Sequence, residues 1–192
     1  MNNLYKEIKT KDISHRAIHN NRKYKHALYQ IANLFHKLYN PYIMKKNILT
    51  KKSNIENIEE IAAFLRDIIK DGDLVIMKGN LGFGKTTFVR IFAKLLKSED
   101  IISSPSFTLI NEYDIILKNE ETILRHVDLY RLSYEEELDN IGFKDKIKES
   151  GITMIEWGDK FENYFDKPYY ELEIEMLEAE ENCRLYRINL IS

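Results

Sequence analysis

Apolar positions along this chain repeat with two different periods, and the places where the period changes outline helices alternating with strands. Tyr24, Ala27, Leu28, Ile31, Leu34, Phe35 and Leu38 recur every three or four residues. That is one face of a helix, which has to end before Asn40-Pro41. A second amphipathic helix is expected through Ile55, Ile58, Ile61, Ala62, Leu65, Ile68 and Ile69, with Ser53 or Asn54 as its cap and Asp71-Gly72-Asp73 as its stop. Residues 74–77 form an apolar run of strand length and residues 86–96 have helical spacing, so the chain reads strand, glycine loop, helix. Further strands are expected at 107–113, 122–127 and 152–155, with a short helix at 134–138. Near the C-terminus Leu172, Ile174 and Met176 alternate with Glu171, Glu173 and Glu175, and Tyr186, Ile188 and Leu190 alternate with Arg187 and Asn189. That period of two predicts a terminal antiparallel hairpin at the edge of a mixed sheet.

Charge divides the same chain unevenly. The net charge is -2, yet residues 1–52 hold twelve Lys/Arg against Glu7 and Asp12, which leaves about -12 on the remainder. Four of the five histidines, His15, His19, His26 and His36, fall in the basic part, and all seven glycines lie at or after Gly72. A boundary is therefore expected near residue 50, with 1–47 a basic extension and 48–192 a domain. The extension has three readings: an import sequence or anionic-surface binder, a helix packed on the acidic domain, or a segment upstream of a true start at Met44. Cys183 is the single cysteine, so an internal disulfide is excluded, and no His/Cys cluster has zinc-ligand spacing. No apolar run approaches the roughly 18 residues of a membrane span. A soluble, cytoplasmic protein is expected, with organelle import the minor alternative.

The chemistry is carried by Gly79-Asn80-Leu81-Gly82-Phe83-Gly84-Lys85-Thr86, which fits G-x-x-x-x-G-K-[ST] between a strand and a helix. Glycines let successive N–H groups turn toward phosphate oxygens, and the following helix adds its positive end. In this motif Lys85 reaches the β- and γ-phosphates and the Thr86 hydroxyl ligates Mg²⁺. The predicted nucleotide-binding set is Asn80, Leu81, Gly82, Phe83, Gly84, Lys85, Thr86 and Thr87. A magnesium-bound triphosphate also needs a carboxylate at a neighbouring strand end. Asp128 and Glu156 each close an apolar run. The run before Glu156 is the more apolar, so Glu156 is the expected metal carboxylate and Asp128 the group that orients or deprotonates water. No N-K-x-D element is present to read guanine, which favours ATP. The hydroxyl-rich stretch at 104–108 is either a γ-phosphate sensor, with Ser104 and Thr108 as its switch hydroxyls, or an ordinary loop. His126 shares a strand face with Asp128 and is either packed or a base. Trp157 either covers the site or closes the core.

Taken in order, Gly72-Asp73-Leu74, the glycine loop, Ser104-Pro105-Ser106-Phe107-Thr108-Leu109, His126-Val127-Asp128-Leu129-Tyr130-Arg131-Leu132 and Ile155-Glu156-Trp157 resemble the TsaE (YjeE) family of bacterial ATPases over about residues 48–192. The resemblance implies an α/β fold, a P-loop NTPase-like three-layer sandwich with a mixed β-sheet and a C-terminal antiparallel hairpin. It also implies that Lys85 contacts phosphate, Thr86 and Glu156 hold Mg²⁺, Asp128 is needed for hydrolysis, 104–108 is a nucleotide-responsive switch, and Trp157 belongs to the site. Residues 53–57 fall where the family approaches adenine. Its implied role is in forming threonylcarbamoyladenosine in tRNA, by resetting a TsaD–TsaB complex with weak, partner-stimulated ATP hydrolysis. The tRNA would then be met through that complex. Asn80 and Phe83 depart from the usual family loop, Asn57 from a frequent threonine, and the basic extension has no counterpart.

Two other functions are compatible with the loop or the charge. A small-molecule kinase uses the same motif but needs an acceptor pocket and an arginine-bearing lid, where this chain offers an acidic hairpin with Arg184 and Arg187. A nucleic-acid binder would use the basic extension and lose affinity with salt.

Overall fold

The computed structural model describes residues 44–54, 57–166, 168–177 and 182–192. The amphipathic pattern at 24–38 lies outside these residues. Among the described residues seven strands, β1 (Lys45–Asn54), β2 (Leu74–Lys78), β3 (Ile110–Leu117), β4 (Glu120–Asp128), β5 (Ile152–Glu156), β6 (Tyr169–Met176) and β7 (Cys183–Ile191), form one sheet in the order β1-β7-β6-β2-β5-β4-β3. β6, β2, β5 and β4 run parallel, while β3, β7 and β1 pair antiparallel at the flanks.

Helices cover both faces because the central strands are apolar on both sides. Helix α1 (Ile58–Ile68) buries Ile58, Ile61, Ala62 and Leu65, and α2 (Lys85–Leu95) buries Phe88, Val89, Phe92 and Ala93. These pack with Val75, Met77, Leu124 and Met154 in one core layer. On the other face Leu138 of α3 (Glu135–Asn140), Phe143 of α4 (Phe143–Lys146) and Phe161 of a short 3₁₀ turn (Gly158–Phe161) pack with Ile76, Val127 and Ile155. Alternation of Val75, Ile76 and Met77 between the two layers follows from the period of two in a strand. The result is the expected three-layer α/β sandwich.

Three details differ from the pattern-based reading. The hairpin β6–β7 forms, but it is not an edge, because β6 lies beside β2 and β1 covers β7. β1 begins at Lys45, so the compact unit spans Met44–Ser192 and takes in residues 44–47 that charge had assigned to the extension. Lysines are frequent on edge strands, where they deter pairing with other chains, and a lysine-rich strand therefore reads like a charged tail. The strand expected at 107–113 starts later and runs longer, joined to β4 by the two-residue turn Lys118-Asn119, both at positive φ.

Glu171, in the acidic row of the hairpin, is 2% exposed. Both of its oxygens are paired: Oε1 lies 2.6 Å from Lys45 Nζ and accepts from Asn189 Nδ2 at 3.2 Å, and Oε2 lies 2.5 Å from Lys78 Nζ. Burial pushes its carboxyl up, but the bonds from Lys45 and Lys78 outweigh that and hold it below the usual carboxylate range. A depressed folded value stabilises above the unfolded value near pH ~4.3 and loses that contribution as pH falls through the folded value. Glu171→Gln is expected to lower unfolding free energy at pH 7 by about 3 kcal/mol, the low end for breaking a buried pair, since Lys45 and Lys78 keep Glu173 and Glu162 as partners. Urea denaturation should show the deficit shrinking below pH ~4; a deficit equal at both pH values would contradict this role.

Candidate nucleotide site

The end of β2 delivers the chain into the glycine loop at Gly79. An added Cβ there would sit 2.7 Å from the carbonyl oxygen of Ile174, and φ is +150°. A backbone atom on β6 cannot yield, so Gly79→Ala is expected to destabilise by about 2 kcal/mol. Thermal denaturation would register it, and an unchanged midpoint would contradict the close approach. The loop closes with a bond from Phe83 N–H to Asn80 O at 3.2 Å. Gly84, left-handed at φ 103°, caps α2 without a side chain, which leaves the first-turn N–H groups open toward the cleft. On its outer side, Arg184 Nε of β7 donates to Phe83 O at 2.8 Å.

Lys85, first residue of α2, is 4% exposed; its Nζ donates to Gly79 O at 2.6 Å and Asn80 O at 3.2 Å and lies 4.0 Å from the centre of the Trp157 ring. Burial lowers its ammonium below the ordinary lysine range, opposed by the charges of Glu156, Asp128 and Asp159. A phosphate brought beside it would favour the charged form further.

Two acids meet this lysine from separate strands because parallel pairing sets Asp128 of β4 directly opposite Glu156 of β5, and Met77 of β2 on the other side of Glu156. All three strand ends therefore open onto one crevice, where ligands of open α/β sheets bind. Thr86 Oγ1 donates to Glu156 Oε1 at 2.6 Å. His126 Nε2 bonds the same oxygen at 2.8 Å. Asp128 Oδ2 accepts from Ser106 Oγ at 2.6 Å and Ser104 Oγ at 3.3 Å, and its Oδ1 accepts from Tyr130 N–H at 2.9 Å.

The resulting cleft has a volume of about 230 Å³ and is lined by Leu81, Gly82, Gly84, Lys85, Thr86, Thr87, Ser104, Ser106, Asp128, Tyr130, Glu156 and Trp157. A larger concavity of about 1000 Å³ lies elsewhere, among Lys70, Lys97, Asp114 and Lys118, away from these groups. Of the residues expected from sequence, Asn80 and Phe83 belong to the loop but not to the cleft wall; the Phe83 ring packs against the core. Thr108 is exposed and donates to Asn111 Oδ1 at 2.7 Å, so the hydroxyls that reach Asp128 are those of Ser104 and Ser106. Ser106 and Tyr130 were missed. Each lies inside a motif already singled out, and only the course of the backbone shows which member turns inward. Trp157, left-handed at φ 62°, is held against Tyr130 with ring centres 5.1 Å apart. Asn57 is exposed, and its N–H donates to Asn54 Oδ1 at 3.1 Å.

A parallel-strand end, a glycine loop with an inward lysine, and a helix N-terminus facing two carboxylates define a P-loop nucleotide-binding protein. The family model for the threonylcarbamoyl adenosine biosynthesis protein TsaE matches residues 52–186. The chain is 34% identical over 137 residues to the tRNA threonylcarbamoyladenosine biosynthesis protein TsaE of Rickettsia felis, covering 71% of this chain and 76% of that protein. With the protein of the same name from Aquifex aeolicus it shares 34% identity over 149 residues, 76% of this chain and 98% of the relative. The crystal structure of Bacillus subtilis YdiB superposes with a TM-score of 0.61 at 25% identity, over 78% of this chain and 88% of that one. This chain belongs to the TsaE family.

Proposed function

We propose that this chain serves tRNA threonylcarbamoyladenosine biosynthesis as an ATP-hydrolysing switch acting on a TsaD–TsaB-type complex. The observation that carries the proposal is the convergence of Lys85, Thr86, Glu156 and Asp128 on one cleft at the strand ends. Backbone N–H groups of the loop and α2 bind the phosphates, and Lys85 exchanges the carbonyls of Gly79 and Asn80 for phosphate oxygens.

The donor set suits Mg²⁺. Among the described residues no group of three or more His, Cys, Asp or Glu is arranged to hold a metal. One hydroxyl and one carboxylate, Thr86 and Glu156, are what a cation that keeps waters and phosphate oxygens requires from protein. Held by these two residues, Mg²⁺ would supply positive charge to offset that of the phosphates. Asp128 orients water toward the γ-phosphorus; the new P–O bond forms as the bond to the β-phosphate oxygen breaks, and the water's proton passes to Asp128 or solvent.

Because Ser104 and Ser106 both bond Asp128, a change at the γ-phosphate reaches residues 104–108 through that carboxylate. Phe107 is 87% exposed, Leu81 75% and Tyr130 51%, and all three lie on segments that border the cleft. Exposed apolar side chains around a switch support docking of a partner protein there. tRNA is then met through the complex. No helix among the described residues is long and apolar enough to cross a membrane.

Phosphate release by the purified chain, alone and with TsaD–TsaB, tests the proposal. Slow release that rises on adding the complex is expected. Release unchanged by the complex would contradict the switch, and labelled γ-phosphate recovered on a small-molecule acceptor would identify a kinase instead.

A further inference from the structure

His126 is wholly buried on β4, with Nε2 bonded to Glu156 Oε1 at 2.8 Å. Its other ring nitrogen, Nδ1, is also buried and has no hydrogen-bond partner among the described residues. An ionised carboxylate only accepts, so Nε2 carries the hydrogen of that bond. An orphaned buried polar atom costs about 1–3 kcal/mol, and an apolar side chain of similar size would avoid it. Packing alone therefore does not account for a histidine at this position.

Thr86 of α2 and His126 of β4 donate to the same Oε1 of a β5 residue, so donors from two other elements fix one oxygen of Glu156. With Oε1 held by two donors, rotation of the carboxylate would break both bonds together. Thr86 also serves the metal in the proposed mechanism, which leaves His126 as the donor that bonds Glu156 from outside the metal and phosphate contacts. We infer that His126 is a positioning residue that holds the Glu156 carboxylate in the orientation required for Mg²⁺-nucleotide binding. This rests on the proposed assignment of Glu156 to the metal.

Outer partners of metal carboxylates typically contribute 10–100-fold in metal affinity, so loss of the Nε2 donor is expected to raise the Mg²⁺ concentration needed for half-maximal nucleotide binding by about 10-fold or more. The probe is a fluorescent ADP analogue titrated against the full chain across a Mg²⁺ series and in EDTA. His126→Leu and His126→Asn should show the raised Mg²⁺ requirement with little change in EDTA. His126→Gln should restore most of the wild-type requirement, because its amide nitrogen stands as many bonds from Cβ as Nε2 does, whereas that of Asn falls one bond short.

A merely structural histidine would change affinity equally with and without Mg²⁺, and that result would overturn the inference. So would equal behaviour of the Asn and Gln variants, a comparison that holds even where the Leu variant fails to fold. Glu156→Gln separates the two levels. An unchanged Mg²⁺ requirement in that variant overturns the metal assignment and this inference together. A raised requirement there but not in His126→Leu and His126→Asn overturns this inference alone.

Discussion

Lys85→Ala is expected to reduce ATP hydrolysis by about 10²–10³-fold, the scale seen when one positioned donor to developing charge is removed. The lysine bonds the loop carbonyls of Gly79 and Asn80 from inside the cleft, buried to 4% exposure and facing Glu156, Asp128 and Asp159. Without it, a triphosphate would enter a cleft holding acidic charges and no buried ammonium, so nucleotide affinity should fall along with turnover. Folding should survive. The ammonium is partly desolvated in the folded chain, and its removal relieves that cost while giving up two bonds to backbone carbonyls. Calorimetric titration with ATP, beside a thermal midpoint, separates these effects. Wild-type hydrolysis by a folded Lys85→Ala protein would contradict the loop's assignment.

Asp128→Asn should act differently. The amide keeps the shape, and one of its heads can still meet Ser104, Ser106 or the Tyr130 N–H, but it cannot take a proton from water. A positioned base typically contributes 10²–10⁴-fold, so kcat should fall by about that factor with KM nearly unchanged. Nucleotide binding should persist, because Asp128 lies outside the set that holds phosphate. A rise in KM with kcat intact would instead place Asp128 among the binding groups and return the water-orienting role to another residue.

Residues whose placement depends on local chain chemistry were legible in the sequence. Gly79, Gly84, Lys85 and Thr86 follow from the backbone demands of a phosphate loop, and Asp128 and Glu156 from their place at the ends of apolar runs. The central strands followed from apolar runs of strand length, and α1 and α2 from helical spacing. What escaped depends on long-range partners. β1 reads as a charged tail because edge strands tolerate lysine, and nothing local shows that Lys45 reaches Glu171, which is 126 positions away in the chain. Glu171 reads as a solvent-facing residue of an alternating strand, yet it is buried with Lys45 and Lys78 paired to its two oxygens. The 3₁₀ turn and α4 are too short to leave a period. Thr108 and Ser106 are chemically alike in sequence, and backbone geometry after Pro105 decides between them: Leu109, left-handed at φ 70°, ends the turn with Ser106 inward and Thr108 outward.

The most direct test of the central claim is a crystal structure with Mg²⁺ and a non-hydrolysable ATP analogue. The account predicts phosphates on the 79–86 loop, Lys85 Nζ moved from the Gly79 carbonyl to a phosphate oxygen, Thr86 and Glu156 at the metal directly or through one water, and Asp128 facing the γ-phosphate. A nucleotide bound elsewhere, or either carboxylate separated from the metal and γ-phosphate by more than one water, would contradict it.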